Sequence, residues 1–131
     1  MRPKLVAAAT AAAGLALAWT GSEAAELQDF QVNTVDELAT LCGVDPTDEL
    51  YVDAIQFCYG YITGAVQFHN AMVRAGTIKR PIACPPPDAT RAEFAQYFST
   101  WARTKATSAQ LAEPSLEGAA RAAAEKYPCP R

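Results

Sequence analysis

In residues 51–72 apolar side chains recur at helical spacing, and no other feature constrains the fold of this chain as strongly. A stripe of apolar residues three or four positions apart predicts a helix, and the apolar residues beside it widen that face. Such a broad face is typical of a central helix that packs on more than one side. We predict this helix over residues 48–75, with Gly76 ending it. The stripe comprises Tyr51, Ile55, Cys58, Ile62, Ala65 and His69, with Ala54, Phe57, Tyr61 and Phe68 beside it.

Gly60 and Gly64 lie four residues apart within this helix. Each costs roughly 1 kcal/mol in a helix interior relative to alanine. We interpret that cost as a sign of close packing, in which another backbone lies against the two glycines. The same spacing occurs in membrane helices, but charged and polar residues flank this helix on both sides. The pattern therefore favours tight packing in a soluble domain.

The first 24 residues have the pattern of a segment that directs export and is then removed. Arg2 and Lys4 precede an apolar run at residues 5–19, and the small residues Ser22 and Ala24 stand where a signal peptidase reads its site. The run is shorter than the roughly 20 apolar residues that span a bilayer. We predict a signal peptide at residues 1–24 and one mature domain at residues 25–131, with no membrane anchor. In a Gram-negative bacterium its destination is the periplasm.

The charge pattern argues against a nucleic-acid partner. The chain carries a formal net charge of −3, and its lysines and arginines form no basic patch. A protein that binds nucleic acid usually concentrates positive charge on one face.

Helix start signals predict the remaining helices. Thr34 is followed three residues later by Glu37, and Thr90 by Glu93, which is the capping-box pattern. Pro114 is suited to the first position of a helix. We expect a short helix at residues 35–41, one that begins after Thr90, and one at residues 114–126. No stretch alternates with period two, so the predicted class is all-α: a small domain of four helices, one short and three longer.

The last two helices are expected to bury one face each, and a polar connector at residues 106–113 joins them. Aromatic residues at helical spacing bury large areas, so the aromatic cluster is more typical of a core or a dimer interface than of a ligand site. The predicted inward residues are Phe94, Tyr97, Phe98 and Trp101 in the third helix, and Leu116, Ala119, Ala120 and Ala123 in the fourth.

The four cysteines of an exported chain are expected to form two disulfides. Consecutive helices joined by short loops are usually antiparallel, which brings Cys84 near Cys129. That leaves Cys42 for Cys58, although Cys58 lies about 15 Å along its helix at 1.5 Å per residue, so the end of the first helix must come alongside. We prefer this pairing, and the other two connectivities stay open at this point.

No arrangement of residues indicates catalysis or a cofactor. His69 is the only histidine, and the cysteines are spaced too widely for a zinc site. A cysteine–histidine nucleophile needs a free thiolate, which disulfide formation removes. We expect a half-buried, hydrogen-bonded His69, no metal, no cofactor and no enzymatic activity.

In the order of several short motifs, the sequence resembles the Rap/Tai family of immunity proteins against type VI secretion amidases. The match extends over about residues 34–130 and comprises an acidic-leucine segment before Cys42, FCYGYITG at residues 57–64, ACPP at residues 83–86 and YPCP at residues 127–130. The resemblance implies a disulfide-bonded helical periplasmic protein, often a homodimer. It also implies a partner protein, a cysteine–histidine amidase of peptidoglycan, whose cleft the immunity protein blocks. Residues 103–106 (RTKA) depart from the His-Pro-like turn that is common there.

Two connectors are candidates for binding the partner. Residues 77–83 carry Lys79 and Arg80, and residues 104–110, after the third helix, carry Thr104 and Lys105. Functional contacts are often made by loops on a rigid scaffold, but both segments also fit ordinary solvated linkers. Charge reversal of Lys79 and Arg80 separates the two interpretations.

Three other functions compete with an amidase-specific immunity protein. A periplasmic acid-stress chaperone of the HdeA type is also small, helical and disulfide-bonded, and would expose apolar surface in acid. An orphan protein-binding module would share the fold without a cognate toxin. A lytic enzyme or amidase would have to use His69, since no other histidine is present.

Overall fold

A computed structural model describes residues 23–131, and within that range the chain is helical and has no strand. A 3₁₀ turn at Leu27–Gln31 precedes five helices: α1 (Val35–Cys42), α2 (Tyr51–Arg74), α3 (Arg91–Thr104), α4 (Ser108–Leu111) and α5 (Ser115–Lys126). The predicted all-α class is confirmed, and α1, α2, α3 and α5 correspond to the four predicted helices. Residues 1–22, which hold most of the predicted signal peptide, lie outside the described residues.

Helix α1 occupies the centre of the fold. Val35, Leu38 and Leu41 are fully buried, because α2, α3, α5 and the 3₁₀ turn all pack against α1. Thr34 opens α1 as predicted: its hydroxyl accepts from the Glu37 N–H, and the Glu37 carboxylate accepts from the Thr34 N–H. Such a short helix is marginal in water by itself, so α1 depends on the elements that surround it.

Helix α2 is peripheral, and the prediction that it is the central helix is wrong. It buries a narrow stripe of Ala54, Cys58 and Ile62, and it packs mainly against α1 and α3. No residue at positions 63–74 is buried, and Phe68 is 63% exposed. The apolar face is broader than the surface that α1 and α3 cover, which leaves the outer side of α2 open to solvent.

The close packing predicted at Gly60 and Gly64 is also wrong for the described part of the chain. Both glycines are exposed, and a Cβ added at either would meet no atom within 4 Å. A glycine that does permit close packing is Gly118 of α5, where a Cβ would lie 2.3 Å from Val35 Cγ2. The absent side chain lets α5 approach the start of α1, and the Val35 N–H donates to the Glu113 carbonyl at 2.9 Å.

Helix α3 presents its aromatic residues to the core as predicted. The Thr90 hydroxyl accepts from the Glu93 N–H at 3.1 Å and so caps the first turn. Phe94, Phe98 and Trp101 are buried, and Tyr97 is half-buried. The three buried rings stack along the helix, with centroids 6.3 Å apart for the first pair and 6.2 Å for the second.

Helix α5 begins at Ser115, with Pro114 as the residue before the first turn rather than within it. Its inward face is rotated from the predicted one. Ala119 is buried as predicted, but Leu116 is 49% exposed. The rotation follows from the contact of Gly118 with Val35, which turns the small residues towards α1. The buried residues are Ser115, Gly118, Ala119 and Ala122, whereas Ala120 and Ala123 are only half-buried.

The connector at residues 106–113 contains a helical turn, α4, that the sequence analysis missed. Thr107 and Gln110 form a reciprocal capping box, in which each side chain bonds the main chain of the other. A threonine followed three residues later by glutamine is a known pattern at the start of a helix. This pattern in the sequence could have predicted α4.

Both preferred disulfides are confirmed. Cys42 pairs with Cys58, with Cα atoms 5.2 Å apart, and Cys84 pairs with Cys129, with Cα atoms 4.9 Å apart. Cys42 is the last residue of α1, and the connector at residues 43–50 brings it alongside Cys58, at the start of the third turn of α2. The first disulfide lies in the core, and the second lies at the partly exposed end of the molecule where the chain finishes.

Candidate functional site

The loop at residues 77–83 follows a well-defined helix end. Gly76 has φ +73°, which favours glycine, and it ends α2 as predicted. The Gly76 N–H donates to the Val73 carbonyl, and the Thr77 N–H donates to the Met72 carbonyl, both at 3.0 Å. This pair of bonds is the Schellman motif, and it fixes the direction in which the loop leaves α2.

The loop is anchored again along its length. The Ile78 N–H donates to the Met72 carbonyl at 3.2 Å, and the Ile82 N–H donates to His69 Nε2 at 3.1 Å. The Cys84 N–H then donates to the Tyr127 carbonyl at 2.8 Å, next to the disulfide to Cys129. Helix α2 therefore holds one side of the loop, and the C-terminal segment holds the other.

Lys79 and Arg80 project from this anchored loop. Both are exposed, and neither forms an ion pair or hydrogen bond within residues 23–131. Ile82, three residues after Lys79, is 47% exposed. The loop therefore offers two free positive charges and an apolar side chain, which together suit an acidic groove with an apolar floor on another protein.

Thr104 and Lys105, the other pair of binding candidates, have partners inside the chain. The Thr104 hydroxyl donates to the Thr100 carbonyl at 2.8 Å. The Lys105 ammonium forms an ion pair with Glu125 and lies 6.0 Å from the centre of the Tyr97 ring. These partners belong to α3 and α5. Thr104 and Lys105 are therefore held by contacts within the chain, whereas the side chains of Lys79 and Arg80 are not.

Glu125 is the centre of a polar cluster that the sequence analysis did not find. It accepts from the Tyr97 hydroxyl and from Trp101 Nε1, each at 3.1 Å, and from the Lys105 ammonium. The bond from Lys105 lowers the pKa of Glu125, and the bond to Glu125 raises the pKa of Lys105. Burial raises the pKa of Tyr97. The cluster joins α3 to the last turn of α5.

A second ion pair connects the same two helices nearer the Cys84–Cys129 disulfide. Lys126 Nζ lies 2.9 Å from Glu93 Oε1. The bond from Lys126 lowers the pKa of Glu93, and the bond to Glu93 raises the pKa of Lys126. Burial raises the pKa of the neighbouring Tyr127, whose carbonyl holds the Cys84 N–H. Both pairs therefore position the segment on which the loop rests.

His69 has a structural role in this arrangement. It is half-buried and hydrogen-bonded, as predicted, and its Nε2 accepts the Ile82 N–H. The four cysteines are all in disulfides. Across residues 23–131, no three His, Cys, Asp or Glu side chains form a group that could hold a metal ion, and no helix is long and apolar enough to cross a membrane.

The outer side of α2 is a second exposed surface. We call the stripe of Phe57, Gly60, Gly64 and Phe68 the aromatic–glycine stripe. Phe57 is 37% exposed and has one edge against Phe30, with ring centroids 5.5 Å apart. The two glycines form a low floor between two phenylalanines about 16 Å apart along the helix axis.

Charges at the two ends of the aromatic–glycine stripe have opposite sign. Asp53 lies near its first end and Arg74 near its last, and neither has an ion-pair partner within residues 23–131. The face is thus acidic at one end, apolar in the middle and basic at the other.

Residues 34–129 match the model of the family described as Rap1a immunity proteins. No curated protein and no solved structure matches the chain. The matched residues run from the first residue of the α1 capping box to the last cysteine, and so contain both disulfides and the anchored loop.

Proposed function

Because the chain belongs to the Rap1a family of immunity proteins, we propose that it binds and blocks the active-site cleft of a peptidoglycan amidase delivered by a type VI secretion system. The family points to a protein partner, an effector toxin, and to an inhibitor that works by binding rather than by catalysis. The amidase class of the toxin and an encounter in the periplasm after signal removal are the further parts of this proposal.

The observation that carries the proposal is the anchored loop with two unpaired positive charges. A loop that is already held at His69, Met72 and Tyr127 loses little conformational entropy when a partner orders it. Lys79 and Arg80 have no ion-pair partner in the described part of the chain, so no ion pair within the chain has to be broken when the toxin binds. An acidic rim around the toxin cleft would pair with Lys79 and Arg80, and Ile82 would supply apolar contact.

Charge reversal of the loop tests this proposal. Lys79→Glu with Arg80→Glu is expected to raise the dissociation constant for the toxin by about 10- to 100-fold, since exposed interface charges act mainly on the association rate. The loss should shrink at high salt, where charges are screened. The experiment first identifies a neighbouring reading frame that encodes a small cysteine–histidine amidase. Binding of its product is then measured by calorimetric titration at two salt concentrations.

Arg121→Glu is the matched control for this experiment. It makes the same kind of charge change on α5 and gives up an exposed ion pair with Glu113, which is worth little. We expect toxin binding and the thermal midpoint to stay close to those of the unmodified chain. An unchanged dissociation constant in the Lys79/Arg80 variant would remove the loop from the interface.

We also propose that the chain forms a homodimer through the aromatic–glycine stripe. The stripe complements a second copy of itself when two α2 helices pack antiparallel about a two-fold axis. Gly60 then lies opposite Gly64 of the second copy, and the phenylalanines fill the grooves at either end. Asp53 faces the end of the second copy that carries Arg74.

A charge swap tests the dimer. Asp53→Arg is expected to weaken self-association about tenfold by placing like charges together. Adding Arg74→Asp to the same chain should restore the dimer, because each pair is present again with its signs exchanged. Sedimentation velocity over a range of protein concentrations measures the dissociation constant. An unmodified chain that stays monomeric at high micromolar concentration would exclude this interface.

A further inference from the structure

Ala25 marks the point at which the described chain passes from solvent into the core. Glu23 and Ala24 are exposed, whereas Ala25 is 8% exposed and belongs to the hydrophobic core. The Ala25 N–H donates to Asp48 Oδ2 at 3.0 Å, across a separation of 23 positions in the sequence. The main-chain nitrogen of Ala25 is therefore held against a carboxylate from another part of the fold.

Asp48 lies just before α2 and uses its two carboxylate oxygens for different segments. Oδ1 accepts the Leu50 N–H at 2.8 Å, and Oδ2 accepts the Ala25 N–H. The residue is half-buried, and no Lys, Arg or His within residues 23–131 forms an ion pair with it. A partly buried carboxylate is stabilised when an opposite charge pairs with it. Here the group in that position is a main-chain nitrogen.

We propose that Asp48 is the binding site for the α-ammonium group of a mature chain that begins at Ala25. This inference rests on the export included in the proposed function. A signal peptidase hydrolyses the amide bond between Ala24 and Ala25. Water supplies the hydroxyl that joins the Ala24 carbonyl carbon, Ala24 leaves as a carboxylate, and the Ala25 nitrogen takes up protons to become an ammonium group. The nitrogen that donates to Asp48 then carries a positive charge, and a hydrogen bond becomes an ion pair.

The surroundings of Ala25 accommodate this change. Ala24 is exposed, so its removal leaves no hole in the core. An open surface depression of about 380 Å³, lined in part by Ala25, Thr47 and Asp48, gives water access to the remaining N–H bonds of the ammonium group. The side chain of Ala25 is a single methyl group, which fits the buried position that this residue occupies.

Among the described residues, removal of Glu23 and Ala24 breaks one exposed ion pair. Glu23 lies 3.4 Å from the Arg103 guanidinium. After cleavage that guanidinium keeps Asp36 at 2.7 Å and Thr40 Oγ1 at 2.6 Å. Processing thus exchanges an exposed ion pair for one that ties the new N-terminus to the start of α2.

The first measurement is the N-terminal residue of the exported protein, which we expect to be Ala25 by mass spectrometry. The second is a comparison of thermal midpoints among four chains. One begins at Ala25, one has Gly-Ser added before Ala25, and the other two are the same chains with Asp48→Asn. The extension moves the ammonium group away from the carboxylate. We expect it to lower the midpoint by several degrees when Asp48 is present and to have little effect in the Asp48→Asn chain.

Two further measurements distinguish an ion pair from a simple packing effect. The effect of the extension in the Asp48 chain should shrink above about pH 8, where an α-amino group loses its proton. Glu117→Gln, which removes an exposed carboxylate that forms no ion pair or hydrogen bond within residues 23–131, should leave the effect of the extension unchanged. A mature chain that begins elsewhere, or an extension that lowers the midpoint equally in the Asp48 and Asp48→Asn chains, overturns the proposal. Neither result depends on the toxin, so a failure of this proposal is distinguishable from a failure of the proposed toxin binding.

Discussion

Replacing Gly118 by alanine is expected to lower the free energy of unfolding by about 1–3 kcal/mol, as overpacked core substitutions do. The new Cβ would lie 2.3 Å from Val35 Cγ2, 2.9 Å from Val35 Cγ1 and 3.2 Å from Val35 Cβ. Because all three atoms are close, rotation of the valine side chain cannot relieve the contact. Val35 is fully buried, so the clash has to be relieved by moving α5 away from α1.

The opposing effect is the helix propensity of alanine, which favours the substitution by about 1 kcal/mol. Gly60→Ala isolates that effect, since a Cβ at Gly60 meets nothing within 4 Å. We expect Gly60→Ala to raise the free energy of unfolding by up to about 1 kcal/mol, while Gly118→Ala lowers it. Urea denaturation at low protein concentration measures both. A stabilised Gly118→Ala chain would show that the approach of α5 to α1 is not tight.

These two glycines illustrate why composition and spacing identified the helices but not their neighbours. A glycine inside a helix is consistent with close packing and with an open surface, and the local sequence at Gly60 does not distinguish the two. The contact at Gly118 depends on Val35, which lies far away in the sequence and comes close only after folding. The small residues that follow Gly118 gave no sign of which side faces α1.

The same reasoning explains why α1, and not α2, is the central helix. The apolar face of α2 is long and broad, and the sequence pattern therefore favoured it as the centre. Helix α1 has few residues, but Val35, Leu38 and Leu41 lie within reach of every long helix. How much of an apolar face is covered depends on the number of elements that can reach it, and that number is a property of the whole fold.

Local signals were the reliable ones. The hydroxyls of Thr34 and Thr90 accept a hydrogen bond from an N–H group three residues later, and so begin α1 and α3. The Gly76 N–H donates to a carbonyl three residues earlier and so ends α2. The loop at residues 77–83 was recognisable for the same reason. The partner of Lys105 was not, because Glu125 is 20 positions away and nothing near residue 105 points to it. The anchoring of Ile82 by His69 was likewise beyond local reasoning.

The two disulfides differ in what they secure. Cys42–Cys58 joins α1 to α2 and is buried, so its loss would act on the core. Cys84–Cys129 is partly exposed and closes the loop against the C-terminal segment. Thiol exchange requires access of a thiolate to the sulfur. The outer disulfide should therefore be reduced first, with the helices still assembled around α1.

Removing the outer disulfide with Cys84→Ser and Cys129→Ser is expected to cost about 4 kcal/mol of the free energy of unfolding, the value of the chain-entropy model for a closed segment of this length. Part of the loss is local, because on its C-terminal side the loop is then held only by the hydrogen bond from the residue 84 N–H to the Tyr127 carbonyl. We expect the loop amides, that of Ile82 above all, to lose their protection through local opening, while those of α1 keep the protection that the remaining free energy of unfolding gives. Toxin affinity should fall with the ordering of the loop.

The matched control is Cys42→Ser with Cys58→Ser, for which the same model gives about 3 kcal/mol for the shorter segment. Burial adds to that figure, since two hydroxyl groups replace sulfur in the core and a buried unpaired hydroxyl costs further free energy. We therefore expect this variant to unfold as a whole, with faster exchange at α1 and at the loop alike. Hydrogen exchange followed by mass spectrometry separates the two patterns. Equal protection of the Ile82 amide with and without the outer disulfide would show that His69 and Tyr127 hold the loop by themselves.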